Sequence, residues 1–209
     1  MNSTVPYVIT ISRQLGSGGA YIGQQLAKNL NIKYFDREII SKAANELSVS
    51  EEDLESLDEK ATSTLKSWLQ LCQFGVTEPY IPPQLLPTDK ELFKTESKII
   101  EYISNEGPAV IIGRSGSYIL KEKPNHISIF LHASNEFRRD RIQKLYNLSL
   151  ENAERMIKKS DAERQHHVMK FLKVEWTDLN NYDITIDTSK IDFDSCLDLI
   201  IKYVELKQK

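Results

Sequence analysis

The chain has 209 residues, a formal net charge of −3, 40% hydrophobic residues and 27% charged residues. This composition is typical of globular proteins, and a chain of this length buries a core without disulfides or structural metals. Two cysteines, Cys72 and Cys196, are too few for a disulfide framework or a cysteine-based zinc site. The near-neutral charge argues against a dedicated nucleic-acid-binding protein, and the apolar runs are too short to span a membrane. Because residues 1–6 also lack a secretory pattern, we expect a cytoplasmic protein.

The first predicted unit is a strand, a glycine-containing loop and a helix. The β-branched run Tyr7–Ser12 predicts the strand, Gln14–Gly19 holds the glycines, and apolar residues then recur at helical spacing up to Leu30. A second short strand is predicted at Ile32–Phe35, and Asp36 is placed to cap a following helix.

Three more strands alternate with helical patterns in the rest of the chain. The strands are predicted at Ala109–Gly113, Ile127–His132 and Ile184–Asp187. The helices are predicted at Lys90–Asn105, Ser134–Leu145, Leu150–Arg164 and Cys196–Val204. This alternation predicts an α/β protein, a three-layer α/β/α arrangement in which helices cover both faces of a parallel sheet.

Residues 45–91 interrupt the alternation of strands and helices. They contain an acidic helical piece between Glu51 and Glu59, followed by a stretch with prolines at 79, 82, 83 and 87. Proline removes a backbone donor and disfavours helix at the preceding residue. We therefore expect an inserted lobe within a single domain of residues 1–209.

The glycine loop is the first candidate binding element. A loop of this kind before a helix presents backbone N–H groups to an anion, so its phosphate- and ATP-binding candidates are Gly16, Ser17, Gly18 and Gly19. It lacks the full P-loop pattern, because Arg13 replaces the first glycine and Gly19 and Ala20 replace the lysine and the hydroxyl residue. The alternative is a tight turn that needs glycine only for its backbone angles, with Ser17 as a turn-favouring residue.

Taken together and in this order, several segments resemble the cytidylate kinase-like family, a branch of the P-loop nucleoside monophosphate kinases. The matching segments are Ile9–Gly19, Tyr34–Ile40, Ile111–Ser115, Ile129–Arg141, Asp161–Arg164 and Tyr182–Ser189. The resemblance implies a five-stranded parallel sheet, a helical acceptor-nucleotide lobe at 45–91 and a lid at 147–175 that closes over a donor nucleotide. It also implies ATP with Mg²⁺ as cofactor and nucleotides as substrates.

The resemblance further implies an acceptor site. Lys42 stands where authentic cytidylate kinases place an arginine six residues after the aspartate, and Arg114 keeps the arginine expected at the acceptor phosphate. The acceptor-binding candidates are Asp36, Arg37, Lys42, Arg114 and Asp161. Asp36 has an alternative role as a helix cap. Ser115 replaces an acidic residue that the family uses near the nucleoside.

Phosphoryl transfer depends on positioned positive charge, so arginines are the catalytic candidates. Arg13 is placed to restore the charge that Gly19 lacks, although it also fits a surface arginine paired with Asp36 or Glu38. Arg114 follows a strand at its carboxyl end, where ligands bind in open α/β sheets, and an arginine at a helix start is unfavourable unless an anion lies nearby. The catalytic candidates are Arg13, Arg114 and Arg164.

Residues 136–173 hold ten lysines and arginines against six acidic residues. A charge excess of this kind is usually a solvated helix face, but here it coincides with the expected lid, so Arg139 and Arg141 join the phosphate-binding candidates. The adjacent pair His166 and His167 lacks the spacing of metal ligands, and no protein metal site is predicted.

Three functions fit the sequence. The first is a kinase that transfers the γ-phosphoryl group of ATP to a nucleoside monophosphate, with CMP or dCMP implied by the resemblance. The second is a nucleotide-binding regulator that has lost efficient transfer, which the missing lysine favours. The third is a kinase of another small metabolite, because fold alone does not decide the substrate.

Overall fold

The computed structural model describes residues 7–36, 40 and 89–208. Within these residues, five parallel strands form one sheet in the order β2-β3-β1-β4-β5. The strands are β1 (Val8–Arg13), β2 (Lys33–Phe35), β3 (Ala109–Ile112), β4 (His126–His132) and β5 (Ile184–Asp187). The predicted five-stranded parallel sheet is confirmed.

Helices flank the strands, and we number those within the described residues. They are α1 (Gly19–Leu30), α2 (Asp89–Glu106), α3 (Gly116–Ile119), α4 (Asn135–Tyr146), α5 (Leu150–Leu172) and α6 (Phe193–Lys207), with a 3₁₀ turn at Leu179–Asn181. Helix α5 continues beyond the predicted end at Arg164, and α3 was not predicted. The predicted helix after Asp36 and most of the predicted lobe at 45–91 lie outside the described residues.

The alternation of side chains along the strands divides the core into two layers. In β1, Ile9 and Ile11 are fully buried on the face that packs against α1 and α6. Val8 points to the opposite face and packs against the apolar side of α2. Because successive strand residues point to opposite faces, one run of apolar residues builds both layers. The result is the predicted three-layer α/β/α architecture.

Strand pairing brings the carboxyl ends of the central strands together. β1 is hydrogen-bonded to β3 on one side and to β4 on the other, with Ile11 opposite Ile112 and Arg13 opposite Leu131. The glycine loop after β1 and the turn after β3 therefore emerge side by side. In the described part of the chain, none of the helices combines the length and the apolar character needed to cross a membrane.

A buried polar pair ties the amino-terminal half of the sheet together. The Thr10 hydroxyl and the His126 Nε2 atom are 2.7 Å apart between neighbouring strands. His126 is only 5% exposed, and burial lowers the pKa of its imidazole to about 4, although the Asp183 carboxylate opposes this change. The native state therefore holds a neutral histidine in the core.

We expect the stability of the protein to fall as the pH drops from about 6.5 towards 4. In this range the unfolded chain binds a proton at His126 and the folded chain does not, so protonation favours unfolding. At pH 5 the loss relative to neutral pH amounts to about 2 kcal/mol. Urea denaturation at pH 7.5 and pH 5 measures it, and His126→Gln should lose this part of the pH dependence. Equal free energies of unfolding for the wild type at both pH values would contradict the prediction.

Candidate functional site

The glycine loop is held in shape by its own backbone and by the chain after β5. Gly16 and Gly18 have φ angles of 88° and 82°, which lie in the left-handed region that favours glycine. The Ser17 hydroxyl is fully buried and donates a hydrogen bond of 2.9 Å to the Gln14 carbonyl. Thr188 donates a hydrogen bond of 2.9 Å to the Ser17 carbonyl. In this conformation the Ser17 hydroxyl stabilises the turn, which is the alternative to phosphate binding that the sequence offered for it.

A buried arginine, Arg138, holds the glycine loop in place. Arg138 of α4 donates from Nε to the Leu15 carbonyl over 2.7 Å and forms an ion pair with Asp161 of α5. Asp161 also accepts a hydrogen bond of 3.4 Å from the Leu15 N–H. A Cβ atom on Gly16 would lie 2.9 Å from the Arg138 carbonyl oxygen, so the loop approaches α4 too closely for a side chain. Arg138 and Asp161 thus connect the loop with the helix predicted to be the lid.

Arg13 occupies the space beside Gly19. A Cβ atom on Gly19 would lie 2.7 Å from both Cβ and Cγ of Arg13. The guanidinium of Arg13 continues across Gly113, where a Cβ atom would overlap it. The stem of Arg13 therefore fills the room that a side chain at position 19 would need, and its charge lies between the ends of β1 and β3.

Arg13 and Asp36 both act on Tyr34 at the end of β2. The pKa of the Tyr34 hydroxyl is raised to about 12, chiefly by burial and also by the Asp36 carboxylate, while Arg13 acts to lower it. The two charged candidates therefore lie on the same edge of the sheet.

Arg114 lies in the turn that follows β3. Its guanidinium forms an ion pair with Glu96 of α2, whose side chain is 1% exposed. The anion that the sequence required near this arginine is thus supplied, in the described structure, by a buried carboxylate. Sequence reasoning missed Glu96, because one acidic residue in an amphipathic helix carries no special signal.

A cavity of about 310 Å³ lies at the carboxyl edge of the sheet beneath α5. The three predicted catalytic arginines line it, Arg13 from β1, Arg114 from the turn after β3 and Arg164 from α5. The other lining residues are Ser12, Gly113, Ser115, Tyr118, Ser160, Glu163, His167, Val168, Trp176 and Tyr182. Three guanidinium groups at one cavity suit an anion with several oxygens, such as a phosphate group.

The other charged candidates that the structure describes do not line this cavity. Arg139 is 3.5 Å from Asp140 and 3.6 Å from Glu154. The Arg141 guanidinium lies 4.6 Å from the centre of the Phe193 ring, and that ring packs against Gly18 of the glycine loop. Asp161 faces the glycine loop and lies 3.3 Å from Arg164. Arg37 and Lys42 lie outside the described residues.

A second cavity of about 560 Å³ lies between α2 and α5. It shares Arg114, Glu163 and His167 with the first cavity. Phe93 and Phe171 stack at its wall with ring centres 4.4 Å apart. Across residues 7–36, 40 and 89–208, no three histidine, cysteine or acidic side chains cluster in a way that would hold a metal ion.

The sheet order, the glycine loop between β1 and α1, and the position of the cavity define a P-loop kinase fold. The crystal structure of shikimate kinase from Bacteroides thetaiotaomicron has this fold, with a TM-score of 0.52 and 10% identity over 96% of this chain and 99% of that chain. An uncharacterized protein from Eubacterium ventriosum matches with a TM-score of 0.70 and 24% identity over 95% of this chain and 98% of that chain. At these identities the likeness shows the fold alone.

The model of the cytidylate kinase-like family matches residues 8–190, and the chain belongs to this family. A cytidylate kinase of Sulfurisphaera tokodaii is 25% identical over 198 residues, which are 94% of this chain and 94% of the relative. The resemblance inferred from the motifs is thereby confirmed.

We expect Asp161→Asn to destabilise the protein by about 2 kcal/mol, because Arg138 loses the carboxylate that pairs with its buried guanidinium. The matched control is Glu151→Gln on the same helix, whose ion pair with Arg155 is exposed and should contribute less than about 0.5 kcal/mol. Chemical denaturation measures both. Equal effects of the two substitutions would show that Asp161 does not anchor the glycine loop.

Proposed function

We propose that the protein is an ATP-dependent phosphotransferase that transfers the γ-phosphoryl group to a nucleoside monophosphate, with CMP and dCMP as the first acceptors to test. The observation that carries the proposal is the convergence of Arg13, Arg114 and Arg164 on one cavity at the carboxyl edge of the sheet. Membership of the cytidylate kinase-like family supports the same reaction.

In this proposal the protein positions two nucleotides and stabilises the charge that develops between them. The glycine loop and Arg13 hold the donor phosphates, while Arg114, oriented by Glu96, holds the acceptor phosphate. Arg164 reaches the transferred group from α5, which excludes water from the cavity. An oxygen of the acceptor phosphate attacks the γ-phosphorus in line, and the bond to the leaving ADP breaks.

Magnesium fits this arrangement as a companion of ATP. Mg²⁺ usually keeps several waters and binds substrate phosphates with one or two carboxylates, so a dedicated protein cage is not required. Asp36, at the edge near Arg13, is the candidate to hold a metal-bound water. Bound there, the ion would neutralise charge on the β- and γ-phosphates.

A regulator that binds nucleotides without efficient transfer is the second candidate. In the described structure Arg114 forms an ion pair with Glu96, and Arg164 forms one with Asp161. The glycine at position 19, where the P-loop pattern has a lysine, also favours the regulator. A kinase of another small metabolite is tested by the same experiment, through the choice of acceptor.

We expect the purified protein with ATP and Mg²⁺ to consume one monophosphate of the set CMP, dCMP, UMP, AMP and GMP, and Arg164→Ala to lower turnover by about 100-fold. Arg164 is preferred to Arg114 here, because removing Arg114 leaves Glu96 buried without its cation. The control is Arg155→Ala, an exposed arginine on the same helix, which should keep full activity. Nucleotide binding without consumption of any acceptor would favour the regulator.

A second variant series tests whether Arg13 substitutes for the missing lysine. Arg13→Gly should lower turnover by about 100-fold, because a phosphate-binding cation is lost. Gly19→Lys alone should not function, since its side chain collides with the Arg13 stem. The double variant restores the first glycine and the lysine of the P-loop pattern, with Ala20 still in the place of the hydroxyl residue, and should exceed Arg13→Gly by at least about tenfold. Full activity of Arg13→Gly would show that Arg13 has no role at the phosphates.

A further inference from the structure

The turn after β3 has an unusual backbone. Three consecutive residues, Gly113, Arg114 and Ser115, have positive φ angles of 73°, 51° and 59°. Glycine adopts this region at little cost, but a residue with a side chain is strained there. Strained residues of this kind concentrate at functional sites, where the surrounding structure holds them in place.

Ser115 does not perform the usual task of a serine at the start of a helix. It precedes α3, but its side chain caps no backbone N–H group. Ser134 and Ser149 in the same chain precede α4 and α5 with φ angles of −59° and −63°, and both side chains accept a backbone hydrogen bond. The left-handed backbone of Ser115 therefore turns its hydroxyl away from the capping position.

The Ser115 hydroxyl also has no other partner in the described structure. Ser115 is 6% exposed, and its Oγ atom makes no hydrogen bond with any residue that the structure describes. A buried hydroxyl without a partner destabilises the folded state, and proteins rarely retain one. Ser115 lines the cavity that Arg13, Arg114 and Arg164 surround. A molecule in this cavity is the partner within reach.

The chemistry of the surroundings indicates what that molecule offers. A hydroxyl donates one hydrogen bond without adding charge, and the neighbouring guanidinium groups attract an oxyanion. A carboxylate at position 115, by contrast, would repel a phosphate dianion. The donor therefore matches an oxygen of a phosphate group.

We infer that Ser115 is a substrate-binding residue whose hydroxyl donates a hydrogen bond to an oxygen of the acceptor phosphate. The inference rests on the proposed function, since it adds a neutral donor to the same acceptor site. The serine then favours an acceptor that presents its phosphate, and not a neutral group, to the turn after β3.

Calorimetric titration of the full-length protein with CMP and, separately, with a non-hydrolysable ATP analogue tests this role. Ser115→Ala should weaken CMP binding about tenfold, which corresponds to the loss of one hydrogen bond to a charged group. Binding of the ATP analogue should be unchanged. Weaker binding of the analogue with unchanged CMP binding would place the hydroxyl at the donor phosphates and overturn the inference.

Thermal denaturation without ligand separates binding from a structural role. Ser115→Ala should leave the melting temperature unchanged or raise it, because it removes a buried polar group without a partner. Ser115→Gly should raise it, since glycine accepts the left-handed backbone. The control is Ser104→Ala in α2, whose hydroxyl donates to the Glu101 carbonyl and accepts from Lys123, so this variant should melt earlier and bind CMP normally. A lower melting temperature for Ser115→Ala with unchanged CMP affinity would show a structural role only.

Inorganic phosphate distinguishes failure of this inference from failure of the proposed function. If the wild type does not bind CMP but binds phosphate more tightly than Ser115→Ala, the hydroxyl contact stands and the acceptor in the proposed function is wrong. If the wild type binds CMP and Ser115→Ala binds it equally, the kinase proposal stands and the Ser115 contact is wrong. If the wild type binds neither probe, both are overturned.

Discussion

The ion pair between Arg138 and Asp161 is the interaction on which the candidate site depends. It joins the glycine loop to α4 and α5, two consecutive helices that lie much later in the sequence. The Arg138 guanidinium is almost fully buried, so it replaces lost water contacts with the Leu15 carbonyl and the Asp161 carboxylate. Because Asp161 also lies within 3.3 Å of Arg164, the same contact places an arginine of α5 over the cavity. The ion pair between Arg138 and Asp161 therefore links the glycine loop to α5, the helix that lies over the cavity.

The packing of Arg13 against Gly19 and Gly113 explains two of the departures from the P-loop pattern, at positions 13 and 19, as one structural unit. An arginine in the position of the first loop glycine extends over the position of the lysine, which must then lack a side chain. The same guanidinium passes Gly113, where any side chain would overlap it. Three apparently separate residues thus depend on one side chain. A position-by-position comparison with the P-loop motif shows only which residues are missing. The packing shows that the positive charge of Arg13 lies beside Gly113.

The strands and most helices follow from local patterns in the sequence. The strands are short runs rich in apolar or β-branched residues, and the helices α4, α5 and α6 begin after a serine or aspartate that caps them. Helix α3 was missed because four residues are too few to show a helical period. The end of α5 was predicted too early because Val168 is buried through tertiary contact with Trp176 and Phe130, which no local pattern indicates.

The arginines of the site were predictable, and so was Asp161, but Glu96, the partner of Arg114, was not. Arg13, Arg114 and Arg164 stand in recognisable positions, next to glycines or in a family motif, and the structure brings all three to one cavity. Glu96 lies in an ordinary helical segment, and Arg138 lies in a family segment but was not among the candidates. The importance of both arises from burial beside a charge of opposite sign. A buried ion pair contributes little net stability, but it fixes the direction of its members. Glu96 holds Arg114 in the turn after β3 before a substrate binds. Arg114 therefore loses less conformational freedom when the substrate binds. This orientation, and not the number of positive charges, is what a phosphate-binding cavity at this edge requires.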